Sequence, residues 1–387
     1  MSITVAHAYK LPSLQGVKIL TGESGFQNTI DRMSILDYEF ISYKMQGEFI
    51  KNDFVLCSFL FAKDDEKLMS AAVKTLIDCG VSILGIKDIY YKELPGELLD
   101  YAMDKNFSIF LFGHEVYFEE IITDVTDALR LVEKDQLIEM KIDNLFYNEL
   151  SRSLVRELAL EINGSFEENL AVICCMPEEH IAKEFIYRTP HRLKQLEFFQ
   201  KQNSVFKYKN GLLAILTYRE KRGLSARKIY QDFISSSGMN PEEYRVGVSD
   251  FYNQLHFLDK AVRQARFACE YCHIERKKMA LYDSIGLYKL TLPLRGSCWL
   301  KEFSKGIIDP ILQYDEKHAS DLLPTAISFV ENEGNIKRTA AALFQHENTI
   351  RYRVAKLQKL LNLEHENAMF YPQLCIAVQT YLLKNFE

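Results

Sequence analysis

The sequence predicts a mixed architecture, α/β plus all-α: two α/β domains followed by a helical one. Three observations predict it. Short apolar runs alternate with helical patterns from about residue 14 to residue 128. A second alternation begins at Asn163-Gly164 and contains a strong hairpin signal, Asn210-Gly211 between Val205–Lys209 and Leu212–Leu216. The third is a pair of short amphipathic helices near the end, residues 334–361.

In the first domain, residues 1–128, the apolar runs are 54–61, 81–85 and 108–112, with helical patterns at 66–79 and 93–105 between them. Gly80 and Gly96 fall at a helix stop and a helix start. No phosphate-binding glycine loop of the P-loop or dinucleotide type is present. His114 stands alone and reads as an ordinary histidine.

Residues 124–162 lack proline and glycine and read as one helix of about 55 Å. Its 129–162 portion is assigned as a linker. Leu131, Ile138, Ile142, Leu145, Leu154 and Leu158 form an imperfect apolar seam, interrupted at Glu149 and Arg152. This seam suits pairing with a second copy or packing on its own domains.

The second domain, 163–292, reads as a strand at 170–176, a helix near 193–201, the hairpin, a helix at 226–236, a strand at 245–249 and a helix at 255–272. Residues 293–318 read as a helical connector and 319–387 as the last domain. That domain opens with a helix at 320–333 and ends in an apolar helical tail at 371–383, expected to lie under the second amphipathic helix.

The helix pair carries the functional signal. Asn335 caps the first helix, about 336–343, where its side-chain oxygen can accept an orphaned backbone N–H. His346 stands at the cap of the second, about 347–361, with Glu347 in its first turn. Ile350, Val354, Leu357 and Leu361 repeat at helical period on one face. The opposite face carries Asn348, Tyr352, Lys356 and Lys359, with Thr349 and Arg351 at its edges. Ala340, Ala341 and Ala342 let the second helix cross closely. Lys337, Arg338, Arg351, Arg353, Lys356 and Lys359 against Glu347 make this segment +5 in a chain of −6. Such a local excess suits phosphate neutralisation, and it also suits a plain solvated basic face.

The string H-E-N-T-I-R-Y-R-V-A-K-L after G-N-x-x-x-T-A-x-x-L-F resembles the C-terminal helix-turn-helix of PucR-type bacterial transcription regulators, and more distantly the DNA-binding end of Fis. Glu347 departs from the neutral or basic residue common there. An acid on the groove floor either accepts from a cytosine amino group or costs affinity. Gly22-Glu23-Ser24-Gly25-Phe26, Gly47-Glu48-Phe49, Gly80-Val81 and Leu94-Pro95-Gly96-Glu97-Leu98 are similar to that family's N-terminal domain, which is thought to sense a small metabolite. The middle resembles the family's degenerate GGDEF-like domain. An active cyclase of that fold carries carboxylates at the hairpin to hold Mg²⁺. This hairpin reads Asn210-Gly211-Leu212-Leu213-Ala214.

The resemblance implies a regulator of a metabolic operon (purine, amino-acid or sugar-acid catabolism) that binds double-stranded operator DNA under a small-molecule effector, as a homodimer or higher homo-oligomer. Lys337, Arg351, Arg353 and Lys356 would sit on phosphates, and Arg338, His346 and Glu347 belong to the same DNA-binding set. Asn348, Thr349 and Tyr352 would face base edges. Arg353 borders the apolar stripe and can instead bridge to an acid of its own domain. The competing readings are a cyclase-like enzyme with a helical appendage and a Fis-like architectural protein.

Composition fits a globular protein, 48% hydrophobic and 26% charged. The N-terminus shows no secretory pattern, so the expectation is a cytoplasmic, nucleoid-associated protein with its eight cysteines reduced. No metal or cofactor is expected. Cys269-Glu270-Tyr271-Cys272-His273 matches the haem-attachment pattern, but its surroundings read as a surface helix running into a basic turn.

Overall fold

The computed structural model describes residues 2–37, 49–178, 189–190, 192–199, 201–220, 223, 225–363 and 367–383. It gathers into two compact units, Met1–Ile138 and Glu139–Glu387. Among the described residues no helix is long and apolar enough to cross a membrane. Gly47-Glu48, one piece of the PucR-type N-terminal pattern, lies outside the described residues.

The first unit is built on a five-stranded sheet. Strands β4 (Arg32–Leu36), β5 (Asp53–Cys57), β6 (Ile83–Lys87) and β7 (Ser108–Phe112) run parallel in that order, and β2 (Lys18–Ile19) closes the β7 edge antiparallel. A small ladder pairs β1 (Ile3–Thr4) with β3 (Thr29–Ile30). Strands β5 and β7 are buried at every residue, which is why they read as unbroken apolar runs. Helices α1 (Glu66–Asp78) and α2 (Gly96–Asp104) cover one face, where Val55, Cys57, Leu84, Ile86 and Ile109 meet Met69, Val73 and Leu98. The start of α3 (Phe118–Tyr147) covers the other, placing Ile121 and Val125 against Phe54, Leu56 and Phe110. Strand β4 is not legible as an apolar run. Its Arg32 forks onto buried Asp53 of the neighbouring strand, at 2.7 and 2.9 Å.

The expected single helix over 124–162 is two helices. Helix α3 stops at Tyr147, and α4 (Arg152–Ile162) restarts after Ser151, whose side chain accepts from Leu154 N–H. Carbonyls left open at the end of α3 are satisfied from elsewhere in the second unit. Arg263 donates to Phe146 at 3.0 Å, to Leu145 at 3.3 Å, and to Asn148. Ile142 and Leu145 are 0% exposed in the single chain. They belong to its own interior, which removes the central part of the seam, Ile138, Ile142 and Leu145, as a free pairing surface. The apolar side chains that α3 leaves exposed are Leu131, Leu137, Met140 and Tyr147.

The second unit contains another five-stranded sheet, in the order β12 (Met279–Leu281), β11 (Tyr244–Val248), β8 (Asn169–Pro177), β10 (Gly211–Tyr218), β9 (Ser204–Tyr208). All neighbours are antiparallel except β11 and β12. Helix α5 (Ala226–Ser237) packs through Ile229 and Phe233 on the face formed by Ile173, Cys175, Leu212, Ala214 and Leu216. The helix read near 193–201 lies partly outside the described residues; 197–199 is a short 3-10 turn.

Helix α6 (Leu258–Ile274) packs on the opposite face and is largely buried, not a surface helix. Gly247 permits this approach: a Cβ there would lie 2.1 Å from the Cys269 nitrogen. Cys269 and Cys272 therefore face strand β11, donating to the carbonyls of Arg245 and Val246 at 3.2 and 3.4 Å. The haem-like spacing is a packing feature.

The hairpin turn is Lys209-Asn210, one residue earlier than the sequence suggests. Gly211 already pairs with Tyr208, and Lys209 takes φ +51°. Gly211 is required inside the strand, because a Cβ there would lie 2.3 Å from the Cys175 carbonyl oxygen. The turn is clamped onto α3: Tyr208 Oη and Lys209 Nζ donate to Asp143 at 2.7 and 2.5 Å, and Lys209 N–H donates to Glu139 at 3.2 Å.

The rest of the second unit is helical. The stretch expected as a connector forms α7 (Cys298–His318), whose Ile307, Ile308 and Ile311 are core residues. It is part of the C-terminal domain. There follow α8 (Leu322–Glu331), α9 (Ile336–Ala342), α10 (Glu347–Leu360) and α11 (Asn367–Leu383). The tail helix α11 packs chiefly on α7 and α8, rather than under α10.

Candidate nucleic-acid interface

Helices α9 and α10 form the expected pair. Asn335 Oδ1 accepts from Arg338 N–H at 3.1 Å, and Thr339 Oγ1 donates back to the Asn335 carbonyl at 2.8 Å. Thr339 and Ala340 are buried where the helices meet; Ala341 and Ala342 are exposed, so only one of the three alanines serves the crossing. At the start of α10, His346 Nδ1 accepts from Asn348 N–H at 3.2 Å.

The apolar stripe docks α10 as its period predicts. Ile350 and Leu357 are fully buried, with Val354 and Leu361 half-buried. Leu357 joins a core of Leu323, Ala326, Phe329, Phe370 and Leu374. Burying a side chain of that size contributes roughly 1.5–3 kcal/mol, enough to hold a short helix that would be marginal alone.

The basic residues divide by what they touch. Arg353, with its side chain 20% exposed, donates to Asp321 Oδ2 at 3.0 Å and Thr325 Oγ1 at 3.1 Å. It is held by its own domain, the alternative that its place beside the apolar stripe allowed. Lys356 lies 4.8 Å from the ring centroid of Tyr314 on α7 and is half-buried. Arg351 is exposed and sits 3.6 Å from Glu347, so that acid is partly neutralised within its own helix. Arg338 pairs with Glu333 at 3.4 Å, both exposed. Lys337, His346, Asn348 and Tyr352 are exposed, Tyr352 at 69%, while Thr349 is partly covered.

The turn between the helices holds Phe344, the last residue of the G-N-x-x-x-T-A-x-x-L-F string but not one of the expected DNA contacts. Phe344 N–H donates to Ala341 and Gln345 N–H to Ala340, at 3.3 and 2.9 Å, closing α9 with Phe344 at φ +53°. Glycine is the usual residue there. A bulky residue in that region costs about 1 kcal/mol or more. The ring is 94% exposed. The available signal was an aromatic in the turn position where glycine is favoured.

In the first unit, the carboxyl ends of the parallel strands, where open α/β sheets bind ligands, hold two irregular features. Buried Phe59 takes φ +56°, and Asp88 Oδ1 is buried with no hydrogen-bond partner among the described residues. A shallow polar cleft of about 340 Å³ lies at the opposite, amino ends, lined by Asn28, Lys51, Asn52, Ser82, Lys105 and Asn106 among others. Among the described residues no cluster of His, Cys, Asp and Glu is placed to hold a metal.

The geometry defines the C-terminal domain as a helix-turn-helix domain. Residues 322–379 match the PucR C-terminal helix-turn-helix domain, and residues 7–129 match the purine catabolism regulatory protein-like family. Both ends of the chain thus match PucR-type models, which between them leave residues 130–321 unmatched. It is 22% identical over 134 residues to the DNA-binding transcriptional activator AdeR of Bacillus subtilis (strain 168). That match spans 33% of this chain and 31% of the relative. Among solved structures it is similar to the regulator of polyketide synthase expression from Bifidobacterium adolescentis, at 15% identity and a TM-score of 0.31, covering 64% of this chain and 99% of that one.

Proposed function

We propose that this protein is a sequence-specific DNA-binding transcription regulator of a catabolic operon for purines, amino acids or sugar acids. A small-molecule effector acts through the first unit. The observation that carries the reading is the outward face of α10. It is basic and polar, is free of the domain core, and follows a capped turn within a PucR-type helix-turn-helix. Lys337, Arg338, Arg351 and Lys356 neutralise phosphates, while His346, Asn348, Thr349 and Tyr352 approach base edges, with Glu347 held beside Arg351. The name of the Bacillus subtilis relative supports the same class.

The working unit is a homo-oligomer. One recognition helix reads only a few base pairs, so discrimination among genomic sites needs two, about 34 Å apart on one DNA face.

The central sheet is a degenerate GGDEF-like domain without catalysis. Support comes from its hairpin, which carries Leu212 and Leu213 rather than carboxylates and whose turn is occupied by Asp143 and Glu139.

The test is selection of duplexes from a random pool by the full chain, followed by footprinting and sedimentation. A palindromic footprint bound by a dimer is expected. Recovery of no preferred sequence would sink the regulatory reading. Thermal-shift screening of purines, amino acids and sugar acids then identifies the effector, because a ligand of the native state raises Tm.

A further inference from the structure

We propose that Phe344 is a DNA-contacting residue, an apolar anchor that meets the duplex beside the start of α10. The inference rests on the DNA-binding reading and deepens it. Three observations point the same way. The ring contributes nothing to the core: at 94% exposed, it is the most solvent-accessible large apolar side chain among the described residues. The backbone at this position is left-handed, at φ +53°, so the local fold would accept glycine better than phenylalanine. The position lies two residues before the His346 cap, next to the end of a recognition helix that enters the major groove first.

A residue that the fold disfavours and solvent surrounds has its rationale outside the chain. The two helices that this turn joins carry Arg338, His346, Asn348 and Arg351, all exposed and all suited to a polyanion. An aromatic ring in such a setting finds its apolar complement on DNA in two places, the C5-methyl of thymine and the face of a deoxyribose.

The experiment compares wild-type protein, Phe344→Gly and Phe344→Leu on a duplex recovered by selection with the wild type. Phe344→Gly is expected to melt at or above the wild-type temperature, because glycine relieves the left-handed position. Its affinity is expected to fall about five- to tenfold, within the range of a single lost base or sugar contact. The slope of log affinity against log salt is expected to stay unchanged, since no charge is removed. Phe344→Leu should retain most of the affinity. Deoxyuridine in place of each thymidine separates the sources. If the methyl is the partner, one substitution weakens wild type and leaves Phe344→Gly unaffected; if the sugar is, none does so.

Equal affinity of Phe344→Gly and wild type overturns the proposal while leaving DNA binding intact. So does a loss of self-association at unchanged half-site affinity, which would make Phe344 a contact between copies. A lowered melting temperature in Phe344→Gly overturns it as well, because the ring would then serve the fold. A wild type that selects no duplex fails the DNA-binding reading itself.

Discussion

Arg353 reaches back from the recognition helix to Asp321 at the start of α8, with its Nη2 3.0 Å from the carboxylate. The most basic-looking stretch of the chain thus spends one of its arginines on orientation. Arg353→Ala and Asp321→Ala should each lower Tm, and their double-mutant cycle should give a coupling of about 0.5–1 kcal/mol, since Asp321 is largely solvated. Asp321→Ala should leave the salt slope of DNA binding unchanged. A slope that drops by a full unit in Arg353→Ala but not in Asp321→Ala would return Arg353 to the phosphate contacts.

Lys356 is the sharper probe of phosphate binding. Lys356→Ala should weaken binding about equally on all sequences and flatten the salt slope by roughly one unit. It should also lose about 0.5–1 kcal/mol of stability with the Tyr314 contact. Affinity and slope both unchanged would strike it from the interface.

The purified full chain should form no cyclic or linear dinucleotide from GTP with Mg²⁺ or Mn²⁺. Leu212 and Leu213 offer no metal ligand, and Lys209 beside them is bound to Asp143. Product that co-elutes with the protein and disappears on substitution of the hairpin would refute this.

Ile142→Glu should unfold the second unit rather than dissociate an oligomer. An unpaired carboxylate at a site with no solvent exposure costs several kcal/mol. Met140→Lys, on the exposed side of the same helix, should leave the melting transition within about 0.5 kcal/mol of wild type. A folded, smaller species on sedimentation of Ile142→Glu would restore the seam as an interface.

Glu178 links the second sheet to pH. Lys278, and then Arg245, hold its carboxylate below the ordinary range through hydrogen bonds at 3.0 and 3.1 Å. Because the folded value is depressed, its contribution is complete above the unfolded value of about 4.3. It is lost as pH falls through the lower folded value. Glu178→Gln should therefore destabilise the protein at neutral pH and show a shallower fall of Tm on acidification. Parallel acid limbs for the two proteins would contradict the assignment.

What the sequence made legible was local. The caps at Asn335 and His346 and the stripe Ile350–Leu357 sit within two or three residues of the groups they serve, and α9 and α10 end within one residue of expectation. The buried strands β5 and β7 were visible because both faces are covered. What it hid depends on distant partners. The break after Tyr147 is stabilised by Arg263, 117 residues beyond Phe146. The hairpin turn moved by one residue because Gly211 is needed against Cys175 on another strand. Cys269 and Cys272 match a ligand spacing, yet β11 occupies their side. Among the site residues, exposure of Asn348, Arg351 and Tyr352 followed from helical period alone. The tether of Arg353 needed Asp321, and the placing of Phe344 needed the turn itself.

The cap at His346 fixes more than the start of a helix. An imidazole nitrogen that accepts from the Asn348 amide carries no hydrogen, so the neutral ring is committed to the tautomer protonated at Nε2. Folding thereby sets the polarity of the ring's outer edge before any partner arrives. The protein presents a donor at that point and never an acceptor, so a guanine N7 or a phosphate oxygen can be greeted there and an amino group cannot.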